Sequence, residues 1–199
     1  HRRRHSFPTR RSSDLGGQGT LLASKILSAA AEKRGLFVRT SETIGMAQRG
    51  GSVCSHLRIG AEDVSPVIPS AHADVLIGFE LAEAARQIPK LKKSALCVVN
   101  TDTIIPTNVA LKKGKYLAED YLSVLKETLP QGLFISAGSL ALEAGDMRTL
   151  NIVLLGAATG AGILPFPEDE LREALKECVK PKLLAMNEKA FDLGIKAAK

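Results

Sequence analysis

Tryptophan is absent from the 199 residues, and only two tyrosines and six phenylalanines occur. The core must therefore rest on Leu, Ile, Val and Ala. Cysteine is also scarce: Cys54, Cys97 and Cys178 are odd in number, widely spaced and without a CxxC pair. That excludes a disulfide framework and the usual zinc spacings, and it indicates buried thiols in a reducing cytoplasm. No apolar run approaches the roughly 20 residues of a membrane span, and no leader with an apolar centre is present. The expectation is a cytoplasmic protein with no membrane partner. Gly-Lys-Ser/Thr is missing, which excludes a nucleotide-hydrolysing P-loop. No Ser-His-Asp, Cys-His or paired-carboxylate pattern stands out, so the expectation is a chain without a catalytic engine or a metal site of its own.

The formal charge is +6, which invites a nucleic-acid reading that the charge distribution contradicts. Residues 1–15 hold Arg2, Arg3, Arg4, Arg10 and Arg11 against Asp14, a net of +4, leaving +2 for residues 16–199. The basic signal belongs to the leader. Its stretch "HSFPTRRSSDL" matches the translation of a common sequencing adapter: TCT-TTC-CCT-ACA-CGA-CGC-TCT-TCC-GAT-CT reads SFPTRRSSD, then leucine. The expectation is a non-native, disordered leader over 1–15, a single domain over 16–199, and a true first strand that has been lost.

From Gly16 onward the pattern alternates between strands and helices. Apolar residues at Leu21, Leu22, Ile26, Ala29 and Ala30 predict a helix from Gly19 to Arg34, stopped at Gly35. Strands are predicted at 36–42 and 52–60 from their alternation, and at 73–80 and 95–100 from short apolar runs suited to a buried parallel sheet. A further strand is predicted at 133–138. Helices are predicted after 80, over 120–129, through the small and apolar stretch from Ser139, and after Pro167. The tail reads as a helix pair or one long helix. The sum is an α/β class, Rossmann-like, with a mostly parallel sheet flanked by helices.

Three segments carry candidate chemistry. Gly16, Gly17, Gln18, Gly19 and Thr20 form a glycine turn that opens a helix, where free backbone N–H groups and the positive helix end suit a phosphate. The same turn also serves as a plain strand-to-helix connection. In "SETIGMAQRGGSV", Arg49 stands beside the bare backbone of Gly50 and Gly51, with Gln48 and Ser52 as neutral donors and Met46 as a soft surface. Glu42 and Thr43 open this segment, which could also be a surface hairpin turn. "NTDTIIPTN" follows a strand, and its Asn100, Thr101, Thr103 and Asn108 could line a crevice at the strand's carboxyl end or act as turn residues. His56 reads as a hydrogen-bonded strand residue facing opposite Leu57. His72 has no ligand set around it, and Lys112, Lys113 and Lys115 read as a solvated loop.

"GGQGTLLASKIL" together with "RTSETIGMAQRGGSVCSHLRIG" resembles the small, gamma-type subunit of the 2-oxoacid:ferredoxin oxidoreductases, and within them the beta subunits of indolepyruvate ferredoxin oxidoreductases. "ADVLIGFE" and "NEKAFDLG" extend the likeness from Gly16 to about Gly194. The resemblance implies oxidative decarboxylation of an aryl pyruvate, with acyl transfer to coenzyme A and electrons passed to ferredoxin. It implies that thiamine diphosphate and 4Fe-4S clusters sit on a large partner subunit. The small subunit would then dock beside that centre, with Gly16 to Thr20 toward the phosphates of coenzyme A and Arg49 to Ser52 toward the partner or its substrate. At its start the chain departs from the pattern, which has an apolar strand before Gly16. Two other readings are an NAD(P)-dependent dehydrogenase and a nucleotide-binding regulatory module. The dehydrogenase reading lacks a YxxxK pair, since the residue four beyond Tyr121 is Leu125.

Overall fold

The computed structural model describes residues 5–11, 18–44, 53–60, 62–102 and 118–199. Six strands form one sheet in the order β2-β3-β1-β4-β5-β6. They are β1 His5–Arg11, β2 Val38–Ile44, β3 Val53–Ile59, β4 Ala73–Gly78, β5 Leu91–Asn100 and β6 Leu133–Ile135. β1, β4, β5 and β6 run parallel to one another, whereas β3 is antiparallel to both β1 and β2. The helices are α1 Gln18–Lys33, α2 Leu81–Ala85, α3 Ala118–Thr128, α4 Ala137–Ala144, α5 Leu150–Gly160, α6 Glu168–Cys178 and α7 Pro181–Ala197.

Helix α1 forms because Ala23, Ile26, Leu27, Ala30 and Ala31 recur at helical spacing and are fully buried. This stripe is turned slightly from the expected one, since Leu21, Leu22 and Ala29 are only half-buried. Gly35 ends the helix at φ +66°, and Leu36 N–H returns to the Ala31 carbonyl at 3.0 Å, a left-handed cap that glycine adopts without steric cost.

The sheet separates two apolar layers. Leu57, Ile59, Val75, Ile77 and Val98 meet α1, α4, α5, α6 and α7 on one face. Leu76, Cys97 and Val99 meet Ile68, α2 and α3 on the other. Alternation along β4 and β5 therefore feeds both layers, as strands covered on each face must. Helix α5 is buried continuously from Leu150 to Ala158, so it is a core helix without a polar face. Helix α7 lies directly on it. A Cβ on Gly156 would collide with the Phe191 carbonyl, and one on Gly194 with the Val153 carbonyl, so glycine sets the distance between the two backbones. The tail is one helix rather than a pair.

His5–Arg11, within the stretch expected to be a leader, forms β1 and fills the slot between β3 and β4, where the resemblance places an apolar strand. Backbone hydrogen bonding is indifferent to side-chain type, so two strand edges with unpaired N–H and C=O groups accept a polar segment. The fit is partial. Register with β3 runs from His5↔Ile59 to Arg11↔Val53, but with β4 it covers only Thr9↔Ile77 and Arg10↔Gly78. Pro8 also removes one ladder donor from a strand in the sheet interior.

Candidate functional site at the carboxyl rim of the sheet

Strand register brings several element ends to one rim of the sheet. β1 ends at Arg11, opposite Val53, and Val53 pairs with Ile44 at the end of β2. The end of β1, the end of β2 and the start of β3 therefore share one rim. Arg10 pairs with Gly78, which brings the end of β4 to this rim, and the parallel pairings carry Asn100 and Ile135 there too. A parallel sheet presents its ligand crevice at this end, where connections diverge.

Gln18, Gly19 and Thr20 form the first turn of α1, whose backbone N–H groups have no partners within the helix. Gly16 and Gly17 lie outside the described residues. So do Gln48, Arg49, Gly50, Gly51 and Ser52, with Met46, and so do Thr103, Asn108, Lys112, Lys113 and Lys115. Glu42 and Thr43 lie exposed on β2, on opposite faces because successive strand residues alternate.

From the rim, a cleft of about 290 Å³ runs between α1 and the β2–β3 hairpin. Ser24, Lys25 and Ser28 line the helix side, with Thr40, Glu42 and Ser55 facing them and Glu32 and Val38 at the far end. Four hydroxyls, two carboxylates and one ammonium suit a neutral, hydroxyl- or amide-bearing group, and the excess of carboxylates disfavours a second phosphate. Of these residues the sequence reading had singled out Glu42 alone. The missed signal is the polar stripe Ser24, Lys25, Ser28 and Glu32, at helical spacing beside the apolar one.

Asn100 is structural instead of ligand-lining. It is fully buried, and its side chain donates to the Phe79 carbonyl at 3.3 Å and accepts from Asp102 N–H and Ala137 N–H at 3.2 and 3.0 Å. One amide thus ties together the ends of β4, β5 and β6. Asp102, unmarked in the sequence reading, accepts from Ser136 Oγ and Gly138 N–H, both at 2.5 Å. It caps α4 from a different strand. A Cβ on Gly138 would stand 2.5 Å from Asp102 Oδ2, so a glycine is needed for that approach.

His56 is the strand residue the alternation predicts: 2% exposed, with its Nδ1 accepting from Ile68 N–H at 3.1 Å. Burial, reinforced by the Lys90 charge, lowers its pKa from 6.5 to about 4. His72 donates from Nδ1 to the Ser70 carbonyl at 2.6 Å. Among the described residues no group of three or more His, Cys, Asp or Glu is gathered to hold a metal, and no helix is long and apolar enough to cross a membrane. The cysteines stand on β3, β5 and α6. Burial pushes Cys97 up to about 12 and raises Cys178 as well. Three dispersed thiols do not fit a cubane cluster, which takes four thiolates. Leu125, at the position a YxxxK pair would give to lysine, is fully buried.

An open α/β sheet flanked by helices, with a polar cleft beside its first helix, places the described elements in the Rossmann-like class. Residues 12–197 match the family described as pyruvate ferredoxin/flavodoxin oxidoreductase, and the chain belongs to that family, as a small subunit of a 2-oxoacid:ferredoxin oxidoreductase. It is 40% identical over 187 residues to the indolepyruvate oxidoreductase subunit IorB of Pyrococcus horikoshii, covering 93% of each chain. The fold is that of the gamma subunit of a keto/oxoacid ferredoxin oxidoreductase from Geobacter sulfurreducens, with TM-score 0.68, 21% identity and 98% of each chain covered. It also resembles part of the 2-oxoglutarate:ferredoxin oxidoreductase of Magnetococcus marinus, a structure with 2-oxoglutarate, coenzyme A and succinyl-CoA bound. There the TM-score is 0.71 at 21% identity, and the match covers 100% of this chain and 31% of the other. The same architecture thus occurs both as a separate subunit and within a chain about three times as long.

Proposed function

We propose that the chain is the small subunit of an indolepyruvate ferredoxin oxidoreductase. The complex would convert indolepyruvate, coenzyme A and oxidised ferredoxin to indoleacetyl-CoA, carbon dioxide and reduced ferredoxin. The observation that carries this reading is end-to-end likeness: 40% identity over 93% of both chains to a subunit named for that substrate. Thiamine diphosphate and the 4Fe-4S clusters belong to the large partner in this reading, in keeping with a chain whose three cysteines are spread over separate elements. Ferredoxin is met through the assembled complex, in the cytoplasm.

This chain's own contribution is binding and positioning. The N–H groups of Gly16 to Thr20 face the phosphates of coenzyme A. The cleft beside Glu42 receives a neutral part of the same molecule, because its carboxylates repel a further phosphate. The segment from Arg49 to Ser52 meets the large subunit or its substrate, where the Arg49 guanidinium can grip a carboxylate in two places. Residues 1–15 are a foreign leader in this reading, of which residues 1–11 lie outside the family match.

The test is reconstitution with a large thiamine-diphosphate subunit. The assembled pair should reduce ferredoxin with indolepyruvate and coenzyme A, while the isolated chain should do neither half-reaction. Arg49→Ala should weaken coenzyme A use or assembly. Activity of the isolated chain on an aryl 2-oxoacid would refute the reading, as would an assembled pair that prefers pyruvate to indolepyruvate.

A further inference from the structure

On the sheet face opposite α1, a buried imidazole meets more donors than it can accept. A neutral histidine has one ring lone pair and one ring N–H. Ile68 N–H, a backbone donor that cannot turn away, points at Nδ1 from 3.1 Å. That contact fixes Nδ1 as the acceptor and puts the ring proton on Nε2. Yet Lys90 Nζ stands 3.2 Å from Nε2, so an ammonium faces an N–H. Reversing the tautomer only moves the conflict to Ile68. Protonating the ring removes its remaining lone pair and adds a second charge.

The protein supplies little to relieve this. Cys54 Sγ is 3.5 Å from Nε2 and 3.5 Å from Gln87 Oε1, a soft and weak acceptor at long range. Carboxylates on the adjoining elements are engaged elsewhere: Glu80 caps α2, Glu83 holds Arg86 at 2.5 Å and Asp74 holds Lys92 at 2.5 Å. Among the described residues Lys90 forms no ion pair. The result is one uncompensated positive charge and a buried N–H converging on a single point. A single acceptor oxygen satisfies both.

We propose that His56 and Lys90 form a notch that binds one carboxylate oxygen, entered from the half-exposed Lys90 side. A carboxylate suits it better than a phosphate. With the two donors 3.2 Å apart, a single oxygen can bridge both from one side, and one negative charge balances one ammonium. The carboxylate comes either from a free 2-oxoacid or from an acidic side chain of the large subunit. The notch lies between β3, which carries His56, and the turn Ile88–Lys90 that precedes β5. It stands on this chain's geometry and does not depend on which oxoacid the complex prefers.

The test uses the full chain with 15N-labelled histidine, titrated with acetate against chloride at constant ionic strength. The His56 signal, identified by its loss in His56→Gln, should shift saturably with acetate. Lys90→Met should weaken that binding by about tenfold or more, while Lys90→Arg retains it. Lys92→Met, which breaks a separate ion pair, should leave it unchanged. In the reconstituted complex, a His56 signal already shifted before any addition assigns the carboxylate to the large subunit. A shift that appears only with the 2-oxoacid assigns it to substrate. No saturable shift in the isolated chain overturns the notch, as does an equal response in Lys90→Met.

Discussion

His56 shows how one side chain links burial to pH. Its pKa is about 4 in the folded chain against 6.5 for an unperturbed ring, because burial and then Lys90 oppose the imidazolium. The unfolded chain therefore binds a proton that the folded chain refuses between these values. Stability from this group is fully present above about pH 6.5 and is lost as pH falls toward 4, by about 3 kcal/mol. Urea midpoints measured across that window should fall with pH, and His56→Gln should flatten the decline. An unchanged slope in the variant would remove His56 as its source. A bound carboxylate at the notch would raise the histidine's pKa and flatten the same curve without mutation.

At the scale of elements, the closest packing is between α5 and α7. Gly194→Ala would drive a methyl into the Val153 carbonyl and Gly156→Ala one into that of Phe191. Backbone cannot be turned aside as a side chain can, so each should cost about 1–3 kcal/mol or more, and denaturant midpoints report it directly. Asp102→Ala should cost about 1–2 kcal/mol through loss of the α4 cap, with amide exchange accelerating first in Ala137–Ala144. Amphipathic elements were the legible ones. The 3.6-residue spacing in α1 and the alternation in β3 each name a face, and the faces are buried nearly as read. The latches were not legible. Asn100 stayed open between a ligand contact and a turn residue, because a polar residue after a strand reads the same whether it faces a crevice or its neighbours' backbone. Asp102 gave no sign, since its partners Ser136 and Gly138 are more than thirty residues away. The cleft was half visible: Glu42 is a candidate through the segment it opens, while Ser24 and Ser28 are not singled out in the sequence.

For the whole molecule, the open matter is the slot filled by His5–Arg11. Replacing residues 5–11 with an apolar, β-branched strand of equal length should complete the pairing with β4 and bury side chains on both faces of the sheet. A gain of about 1–3 kcal/mol corresponds to a rise in Tm of roughly 2–10 °C for a chain of this size, readable by differential scanning calorimetry. No rise, or a fall, would mean that the present leader already serves the slot as well as an apolar strand can. Loss of reconstituted activity despite higher stability would separate competence of the rim from cohesion of the sheet.

The strand order has one more result. β2 and β3 reach the rest of the sheet only through β1, so every main-chain bond from that hairpin to β4 passes across a ribbon containing a proline. The sheet is a hinged gate hung on its weakest plank. Deuterium uptake should sort the molecule into two clocks, with Val38–Ile44 and Val53–Ile59 running fast and Leu91–Asn100 running slow, and whatever seizes the outer edge of the rim would slow the first clock without touching the second.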